Sequence, residues 1–330
     1  MPSNSIASLQ KLVDSILSTK GNVQKKLHKL AQIILGKSIL FIKGNPYRIL
    51  EGEFYIRSEN HPDPFTHEQT LQSLFGRWYF HRAGSSDTAK YRGGTYKGLD
   101  LTLSTDPNVT FAFLIRSIEL VVSNVPRAEK SVRKSGLGII EGPSLCVDHI
   151  LKVTGNKSIS DLVEQLDPEL SAILPKGWRS SPKSTHILGL ELNPSSELIQ
   201  PTKLLESPRI GLSLNSSKPN NLKHGMSFIM RPYRFLSNGK GIKKGKPHMI
   251  LRAHECLETE EICELVGVRE SNIQKYLQWM EIGVQTCQQG NHPALIDDLF
   301  QKYVGSLNSQ RFCELYGICL ILNKTVDDSQ

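Results

Sequence analysis

The chain has 330 residues, 38% hydrophobic residues and a formal net charge of +8. This length and apolar content exclude a largely disordered chain and allow one large domain or two ordinary ones. A basic chain makes a polyanion the first partner to consider, and the alternative is a basic protein without a nucleic-acid role.

The first predicted elements are two helices. Apolar residues recur at helical spacing over residues 9–17 and again over residues 27–34. Gly21 and Asn22 interrupt the pattern, and Gly36 ends it. We therefore predict an N-terminal helical extension over residues 1–30 and a second helix that leads into the next domain.

The pattern then changes to short β-rich runs. They predict strands at residues 38–43, 47–55, 78–82, 99–104 and 111–118. The first two strands are joined by the turn-forming residues Gly44, Asn45 and Pro46. A helix is predicted over residues 160–174, with Ser160 or Asp161 as its cap. The sequence thus indicates a mixed α+β domain, with a curved antiparallel sheet and surrounding helices, over residues 31–240.

The C-terminal part differs in charge. Lysines and glycines between residues 240 and 246 predict a flexible basic linker, and residues 257–279 have the outline of a helix-turn-helix with its turn at Gly267 and Val268. Residues 247–330 contain six Lys or Arg and twelve Asp or Glu, a net of −6, so residues 1–246 carry +14. Because DNA affinity comes largely from phosphate neutralisation, residues 241–330 are interpreted as a linker and an acidic helical lid or protein-contact module.

The cysteines and the hydropathy pattern limit the protein class. Six cysteines occur singly, five of them after residue 250. That spacing fits neither a disulfide framework nor a zinc site, and the nearby His254, Cys256 and Cys263 are interpreted as packing and surface residues. We expect reduced thiols, no metal and no other cofactor.

No apolar run is long enough for a secretory core or a membrane span, which predicts a soluble intracellular protein with no membrane partner. A weak organelle-targeting helix is the alternative for the first thirty residues.

One carboxylate stands out as a candidate for chemistry. Glu53 closes an apolar strand, Tyr55 follows it, and His61 comes shortly after. Hydrolysis of an N-glycosidic bond passes through an oxocarbenium-like sugar, so a carboxylate serves both to deprotonate water and to stabilise the positive charge. A flipped base also needs aromatic faces on which to stack.

Five short segments, in the same order over about 200 residues, resemble the methylpurine (3-methyladenine) DNA glycosylase family. They are Leu35-Gly36-Lys37 with Glu51-Gly52-Glu53-Phe54-Tyr55, Phe113-Leu114-Ile115-Arg116-Ser117-Ile118-Glu119-Leu120, Gly142-Pro143-Ser144-Leu145-Cys146, Pro208-Arg209-Ile210-Gly211-Leu212 and Arg231-Pro232-Tyr233-Arg234-Phe235. The collinear order is what supports the resemblance, because each match is short.

The resemblance implies roles for individual residues. Glu53 becomes the general base and Arg116 a polar contact near the attacking water, with Tyr55 and His61 as faces of the base pocket. Two alternatives stay open: Arg116 as a structural partner of Glu119 or Glu141, and His61 as a surface histidine.

The middle of the chain departs from the family. Tyr79 or His81 can replace a third stacking aromatic residue, and Tyr91 or Tyr96 can replace the residue that wedges into DNA. Asp100 stands where the family usually carries an asparagine, which leaves substrate preference open and makes Asp100 a candidate for acid-base work. Positive charge for DNA contacts is assigned to Arg77, Arg82, Arg92 and Lys97.

The function predicted from the resemblance is removal of an alkylated or deaminated purine from duplex DNA by a monomeric, monofunctional glycosylase of base excision repair. No lysine stands out as a Schiff-base nucleophile, which favours hydrolysis over lyase chemistry. Such an enzyme would work in the nucleus or another DNA-containing compartment, and its C-terminal module could bind a protein. The alternatives are a non-catalytic nucleic-acid-binding protein on the same scaffold, and an enzyme that acts on RNA or a free nucleoside.

Overall fold

The computed structural model describes residues 4–84, 86, 88–121, 138–175, 178, 186–194, 203–214, 225–289 and 301–327. The chain forms two compact units. Unit 1 consists of Met1–Pro62, Thr66–Leu204 and Phe235–Asn238, and unit 2 of Asp63–Phe65, Leu205–Arg234 and Gly239–Gln330. The domain boundaries predicted at residues 30 and 240 stay predictions.

Unit 1 begins with the two predicted helices. Helix α1 spans Asn4–Leu17 and helix α2 spans Gln24–Gly36, so both the break and the end at Gly36 are confirmed. Each helix buries one apolar stripe, as the spacing of its leucines and isoleucines requires. The buried residues are Leu9, Val13 and Ile16 in α1, and Leu27, Leu30, Ala31, Ile34 and Leu35 in α2.

A large antiparallel sheet dominates unit 1 and confirms the mixed α+β class. Its strands include β1 Ser38–Ile42, β2 Asn45–Ser58, β3 His61–Pro62, β4 Phe75–Phe80, β5 Leu99–Leu103, β6 Thr110–Leu120, β7 Ile140–Glu141 and β8 Leu188–Leu192. The short strand Arg234–Leu236 also pairs with β2. The main path across the sheet is β4-β5-β6-β2-β1-β8, with β3 paired to β2 and β7 to β6. Strand β2 is 14 residues long and lies at the centre of the sheet, between β6 and β1.

The turn between β1 and β2 differs from the predicted one. Ile42 faces Asn45 across the hairpin, so the turn consists of Lys43 and Gly44 alone. Both have positive φ, 48° and 78°, which is the geometry of the two-residue type I′ hairpin. Asn45 and Pro46, assigned to the turn from composition, already belong to the strand.

The helix predicted over residues 160–174 is wrong at both ends. Helix α3 spans Pro143–Thr154, and the next helix, α4, spans only Ile159–Gln165. Ser158 is its cap, and Asp161 completes a capping box at the third helical position. Pro168 disfavours helical geometry at the residue before it, and the chain then runs beside β4 and β8, where Ala172 donates to Gly76 and Leu174 to Leu190.

Unit 2 is mainly helical. Its elements include the short strand β9 Leu205–Ser207 and the helices α5 Lys246–His254, α6 Thr259–Val266, α7 Glu270–Gln289 and α8 Ser309–Asp327. The predicted outline of helix, turn and helix is confirmed for α6 and α7, and Gly267 ends α6 with a φ of 69°. Lys246, which the sequence places in a linker, begins α5 and donates to the carbonyl of Gly239 at 3.0 Å.

Helices α7 and α8 pack at very short range. A Cβ atom on Gly283 would lie 1.9 Å from the carbonyl oxygen of Glu314, and one on Gly317 would lie 2.1 Å from that of Met280. Only glycine permits this approach. Among the described residues, no helix combines the length and the hydropathy that crossing a bilayer requires.

Candidate active site

The sheet of unit 1 has two chemically different faces near its centre. Side chains alternate along a strand, and directly opposed residues share a face. Glu53 faces Leu114, Leu114 faces Asp100, and Asp100 faces Tyr79. One row across β2, β6, β5 and β4 therefore carries three of the predicted site residues. At one strand spacing per step, the backbones of Glu53 and Asp100 are roughly 10 Å apart.

Glu53 is held by two donors at the centre of this face. Its side chain is fully buried, and its Oε2 atom accepts from Arg116 Nη1 at 3.1 Å and from the Tyr55 hydroxyl at 2.9 Å. Tyr55 lies two residues along β2 and is only half-buried. The predicted base, its arginine and the predicted stacking tyrosine therefore form one contact group.

Arg116 also binds a second carboxylate, that of Glu51. Its Nε atom donates to Glu51 Oε1 at 3.0 Å, and the Ser117 hydroxyl donates to the other oxygen of Glu51. The geometry assigns the arginine to Glu51 and Glu53, whereas the sequence had offered Glu119 or Glu141 as structural partners.

A local irregularity between β2 and β6 allows these contacts. Ile49 faces Ile118, Glu51 faces Ser117, and the next pair is Gly52 with Ile115. Each strand thus carries one extra residue, Leu50 on β2 and Arg116 on β6, after which the register is restored. Such bulges re-aim side chains, and here two consecutive residues of β6 both reach Glu51.

Electrostatics keep Arg116 charged although it is buried. Burial by itself lowers the pKa of an arginine, but the negative charges of Glu53 and Glu51 outweigh that effect and raise the pKa of Arg116. The guanidinium is therefore a permanent cation beside the two carboxylates.

The opposite face of β2 forms part of the apolar core. Phe54 packs against Phe113 with ring centroids 4.8 Å apart. A Cβ atom on Gly52 would lie 2.1 Å from the Phe113 ring, so the ring covers the glycine directly. This packing fixes the strand segment that carries Glu53.

A second polar group lies on the same face as Glu53, over β5 and β4. His81 Nε2 lies 2.8 Å from Asp100 Oδ1, and Gln72 Nε2 donates to Asp100 Oδ2 at 3.1 Å. Asp100 and Gln72 are almost completely buried. The Tyr79 ring lies 5.7 Å from that of His81, and burial together with the charge of Asp100 raises the pKa of Tyr79 to about 12.

The two histidines after β2 occupy different places. His61 pairs with Ser58, which lies five residues beyond Glu53 in β2. The backbones of His61 and Glu53 are therefore about 16 Å apart along the strand direction. By alternation, Ser58 lies on the face of Phe54, which separates His61 from the carboxylate. His67, which was not among the predicted site residues, contacts the ring of His81 edge to face, with the ring centroids 5.5 Å apart.

Most of the residues predicted to contact DNA bind other groups of the protein, and one aromatic ring among them is exposed. Arg77 forms an ion pair with Glu169, Lys97 with Asp148, and Arg82 lies 4.2 Å from the Tyr91 ring. Arg92 Nε donates to the Arg82 carbonyl at 2.8 Å. Tyr96, in the 3₁₀ turn Gly94–Tyr96, is 72% exposed and is the one of the two predicted wedge tyrosines that projects into solvent.

Sequence reasoning missed four residues of this face. A signal existed for Glu51, because it lies two positions before Glu53 and must share its face in a strand. Ser117 reaches the site only through the bulge, and Gln72 and His67 reach it only through the fold. Among the described residues, no three His, Cys, Asp or Glu side chains are arranged to hold a metal ion.

The sequence is similar to a viral protein over most of that protein's length. No protein-family model matches the sequence. The chain is 31% identical over 231 residues to a protein of Acanthamoeba polyphaga mimivirus called "Uncharacterized protein L759", and the match covers 66% of this chain and 88% of the viral protein. The matched length is most of the viral protein, which exceeds what a shared motif would give. The chain therefore belongs to the same protein family as the mimivirus protein L759.

Proposed function

We propose that this protein is a monofunctional DNA glycosylase that hydrolyses the N-glycosidic bond of a flipped, damaged purine. The observation that carries the proposal is the contact group of Glu53, Arg116 and Tyr55, in which two donors hold one oxygen of a buried carboxylate. The resemblance to methylpurine glycosylases supports the reaction class, because it assigns the general base to the same residue.

The proposed chemistry uses these contacts. Glu53 accepts a proton from water while the water oxygen attacks C1′ of the sugar, and the bond between C1′ and the base nitrogen breaks with its electron pair leaving on the base. Arg116 holds the Glu53 side chain in position, and the low-dielectric surroundings strengthen the attraction between the carboxylate and the oxocarbenium-like sugar. The products are an abasic site and a free base: Glu53 returns its proton to solvent, and a base that leaves as an anion takes one up from solvent.

Access of the base to this face requires flipping. The half-buried Tyr55 ring offers a stacking surface beside the reacting carbon, and unstacking costs a few kcal/mol that such contacts help to offset. Tyr96 is our candidate for the residue that fills the gap left by the flipped base, since its ring is exposed in the 3₁₀ turn Gly94–Tyr96. The reaction needs no metal or cofactor, because water, a carboxylate and bound DNA supply all its parts.

The proposal is tested with Glu53→Gln. Single-turnover excision from a duplex that contains hypoxanthine or methylated adenine is expected to fall at least about 100-fold, the usual contribution of a general base. DNA affinity, measured by fluorescence anisotropy, should be retained because the amide keeps the shape of the side chain. Glu59→Gln is the matched control: it makes the same change on an exposed carboxylate just after β2 and should cut like the parent.

Complete burial of Glu53 favours one alternative, a nucleic-acid-binding protein in which the Glu53 and Arg116 pair is only structural. That protein would bind duplex DNA in a salt-dependent way and cut no lesion of a broad panel. Equal cutting by the parent and by Glu53→Gln would instead refute the mechanism while leaving the activity intact.

A further inference from the structure

The polar face of the sheet is closed to solvent in this structure. Glu53 is 0% and Asp100 2% exposed. A general base has to lie within hydrogen-bond reach of the water that it activates, and that water has to lie beside C1′ of the flipped nucleotide. Part of the protein must therefore move before a nucleotide can reach Glu53.

Residues 66–74, between β3 and β4, cover this face beside Glu53. Their 3₁₀ turn Thr70–Ser73 contacts β4, β5 and β6. Gln72 Nε2 donates to Asp100 Oδ2 at 3.1 Å, and Asp100 lies on the same face as Glu53, so the turn packs on that face. We call residues 66–74 the cover segment.

The cover segment is attached to the sheet without apolar anchors. Its buried side chains are those of Thr66, Gln69 and Gln72, and none of its apolar side chains belongs to the buried core. A segment with few buried apolar contacts opens at a lower free-energy cost than the core does. Among the described residues, its hydrogen bonds and ion pairs with the rest of the protein are Gln72 with Asp100, Gln69 with the carbonyl of Gly84 at 2.6 Å, and Glu68 with Arg57 at 2.8 Å.

Hydrogen bonding in the closed form is incomplete. Four buried polar atoms in the cover segment or beside it have no partner among the described residues: Thr66 Oγ1, Gln69 Oε1, Gln72 Oε1 and Thr110 Oγ1 of β6. Bound water can serve such atoms, but none of them adds a direct bond that holds the segment on the sheet. Exposure to bulk water satisfies them all, which favours the open form.

A cleft beside the cover segment gives it room to move. The cleft has a volume of about 650 Å³, and Glu68, Gln69 and Leu74 of the cover segment line it. Arg57 of β2 and Thr110 of β6 line it too, and by alternation both lie on the face of Glu53 and Tyr55. The cleft thus continues the polar face on the side of Tyr55.

Resting on the proposed glycosylase function, we infer that the cover segment is a gate that moves away from the polar face to admit the flipped base. The hydrogen bond between Gln72 and Asp100 is the latch of the closed form. The closed form keeps Glu53 away from solvent, and the open form exposes it to a base that has left the duplex. Binding then costs the free energy of opening, so the apparent affinity falls with the open fraction.

The first experiment measures opening without DNA. Leu114→Cys places a thiol on the polar face next to Asp100, and Leu101→Cys places one on the opposite, apolar face. Both leucines are buried, so the two variants are matched. Iodoacetamide labelling in native buffer is quantified peptide by peptide with mass spectrometry, which separates the native cysteines. Position 114 should react at least about 100-fold faster than position 101, because local opening frees only the polar face.

The second experiment weakens the latch. In the Leu114→Cys chain, Gln72→Met keeps the length of the side chain but cannot donate. It should speed labelling of position 114 about tenfold, the effect of losing a hydrogen bond to a charged group. Glu68→Gln is the control on the same segment, since it breaks only the exposed contact with Arg57 and should change the rate less than about threefold.

The third experiment measures binding of a duplex that contains hypoxanthine. It uses the Glu53→Gln background, so that no base is released, and Gln72→Met should tighten binding about tenfold because a larger fraction of the protein is open. Urea unfolding verifies that each variant is folded.

Equal labelling of positions 114 and 101 in folded variants would overturn the inference. So would a Gln72→Met variant that is labelled no faster, or that binds no tighter, than the chain with Gln72. The labelling outcomes do not depend on catalysis and leave the Glu53→Gln test of the proposed function untouched. Labelling as expected in a protein that releases no base from any lesion would support the gate and refute the glycosylase.

Discussion

At the scale of single residues, the site depends on one arginine shared by two carboxylates. Glu51 and Glu53 are both almost completely buried, and Arg116 contacts each of them near 3 Å. Two carboxylates withdrawn from water and from a counter-charge would repel each other, and the pKa of at least one would rise. The arginine thus supplies the counter-charge for both carboxylates.

This arrangement predicts how stability responds to pH when Arg116 is replaced. Arg116→Gln leaves two buried carboxylates without a cation, so the folded state holds protons that the unfolded state releases above about pH 4.3. A carboxyl whose folded pKa is raised stabilises the protein below its unfolded pKa and loses that contribution as the pH rises through the folded pKa. The variant should therefore be destabilised by about 3–5 kcal/mol at pH 7.5 and by less at pH 5.

Urea unfolding of the parent and of Arg116→Gln at both pH values measures this effect. A deficit that is the same at pH 5 and pH 7.5 would show that the carboxylates are not held in their charged form by Arg116.

At the scale of secondary-structure elements, the path of β2 positions the chemistry. Its residues alternate between the polar face of Glu51, Glu53 and Tyr55 and the apolar face of Gly52 and Phe54. The ring of Phe113 from β6 fills the space beside Gly52, where any other residue would have a side chain. The apolar side of the strand therefore holds the polar side in place.

Gly52→Ala is expected to destabilise unit 1 by about 1–3 kcal/mol, because the added methyl group would overlap the fully buried Phe113 ring. Gly93→Ala is the matched control, since nothing lies within 4 Å of its Cβ position. The urea midpoint of each variant gives the comparison, and replacing Phe113 with leucine in the Gly52→Ala variant should recover part of the loss. Equal midpoints for the two alanine variants would contradict the packing.

At the scale of the whole molecule, charge is divided unequally along the chain. Residues 1–246 carry a formal +14 and residues 247–330 carry −6, which together give the net +8. If the proposed function holds, the basic part should supply the phosphate contacts and the acidic part should supply few. Lys90, exposed near Tyr96 in sequence, and Lys275, exposed on α7, represent the two parts.

Lys90→Glu and Lys275→Glu change the net charge equally, so any difference between them reports position. We expect Lys90→Glu to weaken duplex binding and to reduce the slope of log affinity against log salt by about 1, as the loss of one phosphate contact does. Lys275→Glu should bind like the parent. Anisotropy titrations at several salt concentrations decide this, and a larger effect at Lys275 would restore α6 and α7 as a DNA-binding element.

The local sequence pattern determined the elements and several of the site residues. Helical spacing located α1 and α2, and β-rich runs located the central strands, although the exact ends depended on partners such as the capping box of α4. Glu53, Tyr55 and Arg116 were found because they occur in short collinear segments. His61 was assigned to the base pocket because the resemblance carries a histidine after the β2 segment, and neither that match nor proximity in sequence says which face of the sheet the histidine occupies.

What the sequence by itself determined was the mixed α+β class and the segregation of charge, since these follow from the periodicity of the apolar residues and from composition. It also singled out the carboxylate on β2, through the resemblance of short collinear segments. Only the tertiary structure decided that Arg116 is shared with Glu51, that Gln72 and His81 lock Asp100, and which face each histidine occupies. The reason is physical: these contacts join residues up to 66 positions apart, and their geometry is set by register, by one pair of bulges and by the close approach of rings to glycine.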